Sequence, residues 1–248
     1  MAVDRRLMAW LTLATVGLSC LAQKPASPAA APTAEEIMEK SVEATGGRQA
    51  YAKLTSTVAK GIIELGEGLH GTIEFYAKAP NKRLVVTLLE NFGEIRQGFD
   101  GQTAWLDNPM QGLRRLEGAE LARVREEADF QRPLKWRDLY SKVELVGKDT
   151  VGGRPVYVLR LTPKQGKPVT NYYDAENFLL LRQDLVQATS QGDMTVQALM
   201  SDYRDVDGVK VPHRIEQLLP PGKVVIRFSE IRNNVAIDDA LFVMPAGR

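Results

Sequence analysis

Between residues 71 and 109 the side chains alternate with a period of two, and that pattern excludes most folds at once. Ile73, Phe75, Ala77 and Ala79 interleave with Thr72, Glu74, Tyr76 and Lys78, as in a strand with one buried face. After a turn at Pro80 and Asn81, Leu84, Val86 and Leu88 alternate with Val85, Thr87 and Leu89. This second strand is apolar on both faces, so something besides the sheet must cover it. Asp100 and Gly101 then predict a two-residue hairpin, because both central positions of the favoured turn need a positive φ.

The same reading extends through most of the chain. Thr33 and Glu36 form a capping box, and Ile37, Met38, Ser41, Val42 and Thr45 mark one face of the helix that follows, ended by Gly46 and Gly47. A short helix over 49–54 precedes a strand over 57–65. Residues 117–130 place Leu121, Val124 and Ala128 at helical spacing, Pro133 interrupts, and Leu134, Trp136, Leu139 and Tyr140 continue as a second short helix. Strands resume from 142, separated by turn pairs such as Gly152–Gly153 and Asp207–Gly208. Connectors this short make the sheet antiparallel, and about eleven strands in one sheet have to curl. Helices inserted in such a meander pack on one face or over its open end, and 117–140 is the natural cover for the doubly apolar strand. Residues 237–242 predict a short capped turn that docks Leu241 and Phe242 under the sheet. The expected class is mainly β with a helical lid (α+β), a curled antiparallel sheet.

Residues 1–22 read as a signal peptide: Arg5 and Arg6, an uncharged run from Leu7 to Leu18, then Ser19, Cys20 and Ala22. The run is shorter than the roughly 20 apolar residues that span a bilayer. Cleavage after Ala22 fits the small-x-small rule. The alternative makes Cys20 an acylated lipoprotein N-terminus, with Gly17 and Leu18 a poor match to the preceding positions, and Arg5–Arg6 partly resembles a twin-arginine signal. Residues 23–32 are Pro and Ala rich, a flexible linker. The chain carries 32 basic and 31 acidic side chains; losing Arg5, Arg6 and Asp4 with the leader brings the two to equality. Bulk charge therefore recruits neither nucleic acid nor an anionic membrane. The single cysteine would leave too, so stability has to come from buried area.

Groups for chemistry are sparse. His70 and His213 are the only histidines, one in a hairpin and one on a strand after Pro212, and without cysteines or a shared spacing they do not make a zinc site. The paired glycines lie at strand turns rather than ahead of a helix, so no phosphate loop is formed. No cofactor and no catalytic residue is expected, and a hydrolase is the least favoured class. The apolar residues offer more. Phe75, Leu84, Val86, Leu88, Phe99, Trp105, Leu121, Val124, Trp136, Leu139, Tyr157 and Phe228 are the candidates to converge between sheet and helices. Taken singly they suit a plain core; an open, curled sheet of this size also leaves an interior that a ligand can occupy.

The order of motifs resembles a known family. Residues 71–82 read G-x-I-x-F-x-A-K-A-P-N-K, and 99–109 read F-D-G-Q-T-A-W-L-D-N-P; Gly152 to Tyr157, Tyr173 to Leu179 and Asp202 to Pro212 continue the likeness. Together they are similar to the bacterial periplasmic outer-membrane lipoprotein carriers (LolA-like). The resemblance implies an unclosed (half) β-barrel over 33–248 with a helical lid at 117–140 and an apolar hollow that takes lipid acyl chains. It also implies a periplasmic, non-enzymatic carrier of a lipid or acylated lipoprotein, with transient membrane contact. An envelope sensor or scaffold that binds a protein partner is the alternative. One position departs from the family: where the carriers have an arginine bonded to the lid, this chain has Ala79, with Lys78, Lys82 and Arg83 as possible substitutes. The handover of lipoproteins is therefore not carried over.

Overall fold

A computed structural model describes residues 31–66, 68–189, 192–219 and 222–246. The expected leader, Cys20 and most of the linker lie outside the described residues. The helices α1 (Ala34–Ala44) and α2 (Gly47–Ala52) come first. The strands β1 (Ser56–Leu65), β2 (Leu69–Lys78), β3 (Lys82–Leu89), β4 (Gly93–Phe99), β5 (Ala104–Asn108) and β6 (Gly112–Arg115) follow. Next come α3 (Gly118–Ala128), a 3₁₀ turn (Arg132–Leu134) and α4 (Trp136–Leu139). The chain continues with β7 (Tyr140–Val151), β8 (Arg154–Pro163), β9 (Val169–Asp174), β10 (Leu180–Thr189), β11 (Gly192–Val206), β12 (Val209–Leu219) and β13 (Gly222–Asn233), and a second 3₁₀ turn, Asp239–Phe242. Strand β6, four residues long, is too short for alternation to announce it.

All thirteen strands form one sheet in the order β6-β5-β4-β3-β2-β1-β13-β12-β11-β10-β9-β8-β7, with every pair antiparallel. Two meanders are thus joined where β1 meets β13, and β6 and β7 are unpaired edges. Laid flat, thirteen strands about 4.8 Å apart would separate those edges by about 58 Å. The connection between them contains α3, a 3₁₀ turn and α4 and reaches at most about 50 Å. The sheet therefore has to curl until the helices can bridge its opening. Two inward-facing glycines allow the bend. A Cβ on Gly61 would lie 2.1 Å from the Arg227 carbonyl oxygen, and one on Gly71 would lie 2.0 Å from that of Leu88, so only glycine permits the strands to approach so closely.

The capping box at α1 is present, with Glu36 accepting from the Thr33 N–H at 2.8 Å and Thr33 Oγ1 accepting from the Glu36 N–H at 3.2 Å. Ile37, Met38 and Val42 are buried against Leu159, Leu161 and Tyr173. On the same face of the sheet, Val124 and Ala128 of α3 pack with Phe99, Ala104 and Leu116.

The opposite face has a different cover. In β3 the pairing Lys78↔Lys82 sends Val85, Thr87 and Leu89 to the helix side and Leu84, Val86 and Leu88 to the other. Helices were the expected cover of the doubly apolar strand; on this second face the cover is the C-terminal segment. Leu84 and Trp105 are buried beneath Ile237 and Phe242, and Trp105 Nε1 donates to the Phe242 carbonyl at 2.9 Å. Lys78 and Lys82 clamp Asp239, each at 2.7 Å, and their hydrogen bonds hold its carboxyl down at about 2. The expected two-residue hairpin at Asp100 is a four-residue loop between Phe99 and Ala104, in which Asp100 Oδ1 accepts from the N–H groups of Gln102 and Thr103.

Candidate functional site

Cross-strand partners share a face, so the interior can be traced by register. Leu89 pairs with Gly71, Gly71 with Ile63, Ile63 with Ile226, Ile226 with Ile215, and Ile215 with Met200. One apolar row thus crosses β3, β2, β1, β13, β12 and β11 on the helix side, about 24 Å along the sheet at about 4.8 Å per strand. Around it cluster Leu65, Leu69, Val85, Ile95, Val224 and Phe228, all of them only partly buried and none packed against a helix. This is a trough: apolar, facing the interior, and left uncovered between the regions where α1 and α3 dock.

A second row leads from the trough toward the helices. Leu65 pairs with Val224, Val224 with Gln217, Gln217 with Ala198, Ala198 with Gln183, and Gln183 with Asn171. Asn171 and Gln183 belong to the floor of a half-open cavity of about 420 Å³ roofed by Met38, Val42, Trp136 and Leu139, with Tyr140, Tyr173 and Tyr203 also in its lining. The volume is that of a small-molecule site. Gln183 Nε2 donates to Asn171 Oδ1 at 2.9 Å, and Asn171 Nδ2 donates to the Tyr173 hydroxyl at 2.8 Å, which lies 3.3 Å from Met38 Sδ. The Tyr203 hydroxyl donates to the Leu180 carbonyl at 2.7 Å. Burial pushes both tyrosine hydroxyls above their ordinary range, so both stay neutral.

The roof is held by polar contacts as well as apolar ones. Arg83, on the helix side of β3, lies 3.4 Å from Glu127 of α3, donates to Gln97 Oε1 at 3.0 Å and sits over the Phe75 ring at 5.5 Å. Burial lowers its guanidinium pKa, and Glu127 opposes that. The Phe130 N–H, just past α3, donates to the Pro80 carbonyl at 3.0 Å. Position 79 is alanine, and Arg83 of β3 is one of the arginines that reach the 117–140 segment, with Arg114 of β6 on Glu120 and Arg48 on the Leu134 carbonyl; Lys78 and Lys82 face the other way, toward Asp239.

The twelve sequence-derived candidates are divided by this geometry. Trp136 and Leu139 line the cavity. Phe228 is in the trough, and Phe75 is on the same face, opposite Val85. Phe99, Leu121 and Val124 pack with one another where α3 meets the sheet, and Tyr157 stacks on Phe178 beside α1 at 6.1 Å between ring centres. Leu84, Val86 and Trp105 do not reach the interior: they lie on the opposite face beneath the C-terminal turn. Leu88 shares that face and is 51% exposed. The reason is parity. With residues 79–81 as a three-residue loop, an inward Phe75 pairs with Val85, so the even-numbered residues of β3 must point away. Applied to the sequence, that rule would have selected Val85 and Ile95 of the trough. Asn171, Gln183 and Tyr203 carry no such signal, since polar residues on a mixed strand look like its solvent face.

No family model matches the chain, and no curated protein matches it. Among solved structures, it resembles a DUF1329 family protein from Desulfovibrio piger at 16% identity and TM-score 0.58, over 85% of this chain and 97% of that one. It resembles a LolA superfamily protein from Nitrosomonas europaea at 17% identity and TM-score 0.55, over 86% and 98%. It also resembles a domain assigned to outer membrane lipoprotein sorting, from Vibrio parahaemolyticus, at 13% identity and TM-score 0.54, over 84% and 97%. Architecture is what matches at such identities, and with one unclosed antiparallel sheet whose opening is bridged by helices, this chain has the LolA-like fold.

Proposed function

We propose that the protein binds, without chemistry, the acyl chain of a lipid or lipoprotein in the interior of its curled sheet. The observation that carries this is the trough: a row of apolar residues across six strands, buried at Ile63 and Leu89 and half-buried at Ile226, Ile215 and Met200, whose surrounding cluster contains no helix residue. Its length of about 24 Å exceeds the thickness of one leaflet of a bilayer core, about 15 Å. Each methylene buried there contributes about 0.8 kcal/mol, so ten of them outweigh the cost of ordering a flexible chain. The hydrogen-bonding lining, with neutral tyrosines, suits holding a ligand rather than transforming it. The role is placed in the bacterial periplasm, with export by residues 1–22 and release after Ala22; acylation at Cys20 would instead tether the same domain to a membrane.

Two measurements test the reading. Native mass spectrometry of protein purified from a bacterial envelope is expected to show co-purified lipid. A polypeptide in its place, or an empty protein, favours a scaffold that binds a protein partner. A fluorescent fatty-acyl probe is expected to bind at least tenfold more weakly to Ile226→Glu, and unchanged to Leu88→Glu on the opposite face. Equal affinity for both variants and the unmodified protein removes the trough as the site.

A further inference from the structure

Arg83 brings to the interior face a charge that the protein does not fully compensate. Its neighbour on α3, Glu127, lies 3.4 Å away but is shared with Arg123, which it meets at 2.9 Å. Two guanidinium groups thus face one carboxylate. The nearby acids are committed elsewhere, Glu126 to Arg132 at 2.8 Å and Asp129 to Lys135 at 2.7 Å. Burial works against the Arg83 cation and Arg123 adds to the cost, with Glu127 opposing them. Hydrogen-bonding capacity is left over as well. Among the described residues the Arg83 guanidinium makes one hydrogen bond, from Nη1 to Gln97 Oε1 at 3.0 Å, although its planar fork carries five N–H donors. The side chain is 17% exposed, so it is held in place without being sealed from a ligand.

Its position gives this charge a use. Phe99, the cross-strand partner of Arg83 on β4, is buried under α3. The next row on the same face, Phe75, Val85 and Gln97, is half-exposed, and so are Thr87 and Ile95 of the row after it. Val85 and Ile95 belong to the trough cluster, and the guanidinium sits over the Phe75 ring at 5.5 Å. Arg83 therefore stands where the cover of α3 ends and the open apolar surface begins. From Arg83 to Leu89, the first residue of the apolar row, β3 runs about 20 Å at about 3.4 Å per residue. That exceeds the roughly 15 Å of one leaflet of a bilayer core, so an extended acyl chain with one end at Arg83 fits along β3 on this face.

We propose that Arg83 anchors the head group of the bound amphiphile and that this head is anionic, a carboxylate or a phosphate. The inference rests on the trough as the acyl site and adds the charge of the head. Either anion would take the unused N–H donors in the two-point geometry that a guanidinium favours, and would supply the negative charge that two arginines sharing one glutamate lack. Glu127 competes for the same guanidinium, so head-group binding and the link to α3 oppose each other.

The test is displacement of N-phenyl-1-naphthylamine, an uncharged apolar fluorophore, from the full mature chain by four ligands with the same ten-carbon tail: decanoate, decyl phosphate, 1-decanol and decylammonium. Both anions are expected to displace it at concentrations at least tenfold lower than the alcohol or the cation, and the tighter of the two identifies the head as carboxylate or phosphate. Arg83→Gln, with its fold checked by circular dichroism, is expected to abolish the preference for anions over the alcohol. Glu127→Gln leaves Arg83 in place and removes its competitor, and is expected to raise that preference at least threefold. A merely structural link between the two residues would instead move both variants in the same direction. Equal displacement by charged and uncharged ligands, a preference for anions that survives Arg83→Gln, or one that falls in Glu127→Gln overturns the anchor while the acyl site stands. A chain that binds neither the fluorophore nor any of the four ligands overturns both.

Discussion

At the scale of single residues, Arg83 links the sheet to α3. Its partner Glu127 is on the lid, its other contacts are Gln97 and the Phe75 ring, and little of it is exposed. A pair this long and partly buried contributes about 1 kcal/mol, most of the Coulomb gain being offset by the desolvation that lowers the arginine's pKa. Arg83→Met is therefore expected to raise amide exchange across 118–128 about fivefold, the factor that about 1 kcal/mol produces. Glu127→Gln, which also frees Arg123, is expected to give a somewhat larger increase, and the double variant little more than Glu127→Gln alone, since the Arg83–Glu127 pair is lost in both. Additive effects would mean that the lid is docked by apolar contact and the ion pair is incidental.

At the scale of elements, the C-terminal segment is a structural strap for the face opposite the one on which α1 and α3 pack. Phe242 is fully buried, and its carbonyl accepts the Trp105 indole hydrogen bond. Phe242→Ala is expected to lower unfolding stability by about 3–5 kcal/mol, read from the midpoint of urea denaturation, and to shift the tryptophan emission to the red as water reaches Trp105. Binding of an acyl probe should persist in the fraction that remains folded, because the strap and the trough lie on opposite faces. Val124→Ala on α3 also leaves a void, but beneath the lid; loss of ligand affinity there without a comparable loss of stability would make α3 more of a gate than a wall.

At the scale of the whole molecule, the curl decides whether there is an interior at all. Gly71 faces inward in the apolar row, and a side chain there would run into the backbone of β3. Gly71→Val is expected to cost about 3 kcal/mol, the upper part of the usual range for overpacking, and to weaken probe binding by opening the trough. Thr72→Val, one residue along and on the other face, is the control and should leave both unchanged. An unaltered urea midpoint for Gly71→Val would show that the strands separate there without loss and that the bend is set elsewhere.

How much of this was legible beforehand follows from the range of each interaction. The capping box at Thr33, the α1 face through Ile37, Met38 and Val42, the alternation of Ile73 and Phe75, and the glycine turns are local patterns, and local patterns were enough for a curled antiparallel sheet with helices between strands. Within one strand, alternation says which residues share a face and not which face is inside. That choice passes from strand to strand through loop length, and a three-residue loop after Lys78 instead of an even one sends Leu84, Val86 and Trp105 to the C-terminal strap and Val85 to the trough. The cavity depends on a longer-range contact still: Asn171 meets Gln183 through the pairing of β9 with β10, but Tyr173 meets Met38 only once α1 has docked on the sheet. Residue order by itself determined the class of fold and its apolar content; the handedness of each face, the place of the hollow and its polar floor were decided by the register of thirteen strands, because no single segment contains both sides of any of those contacts.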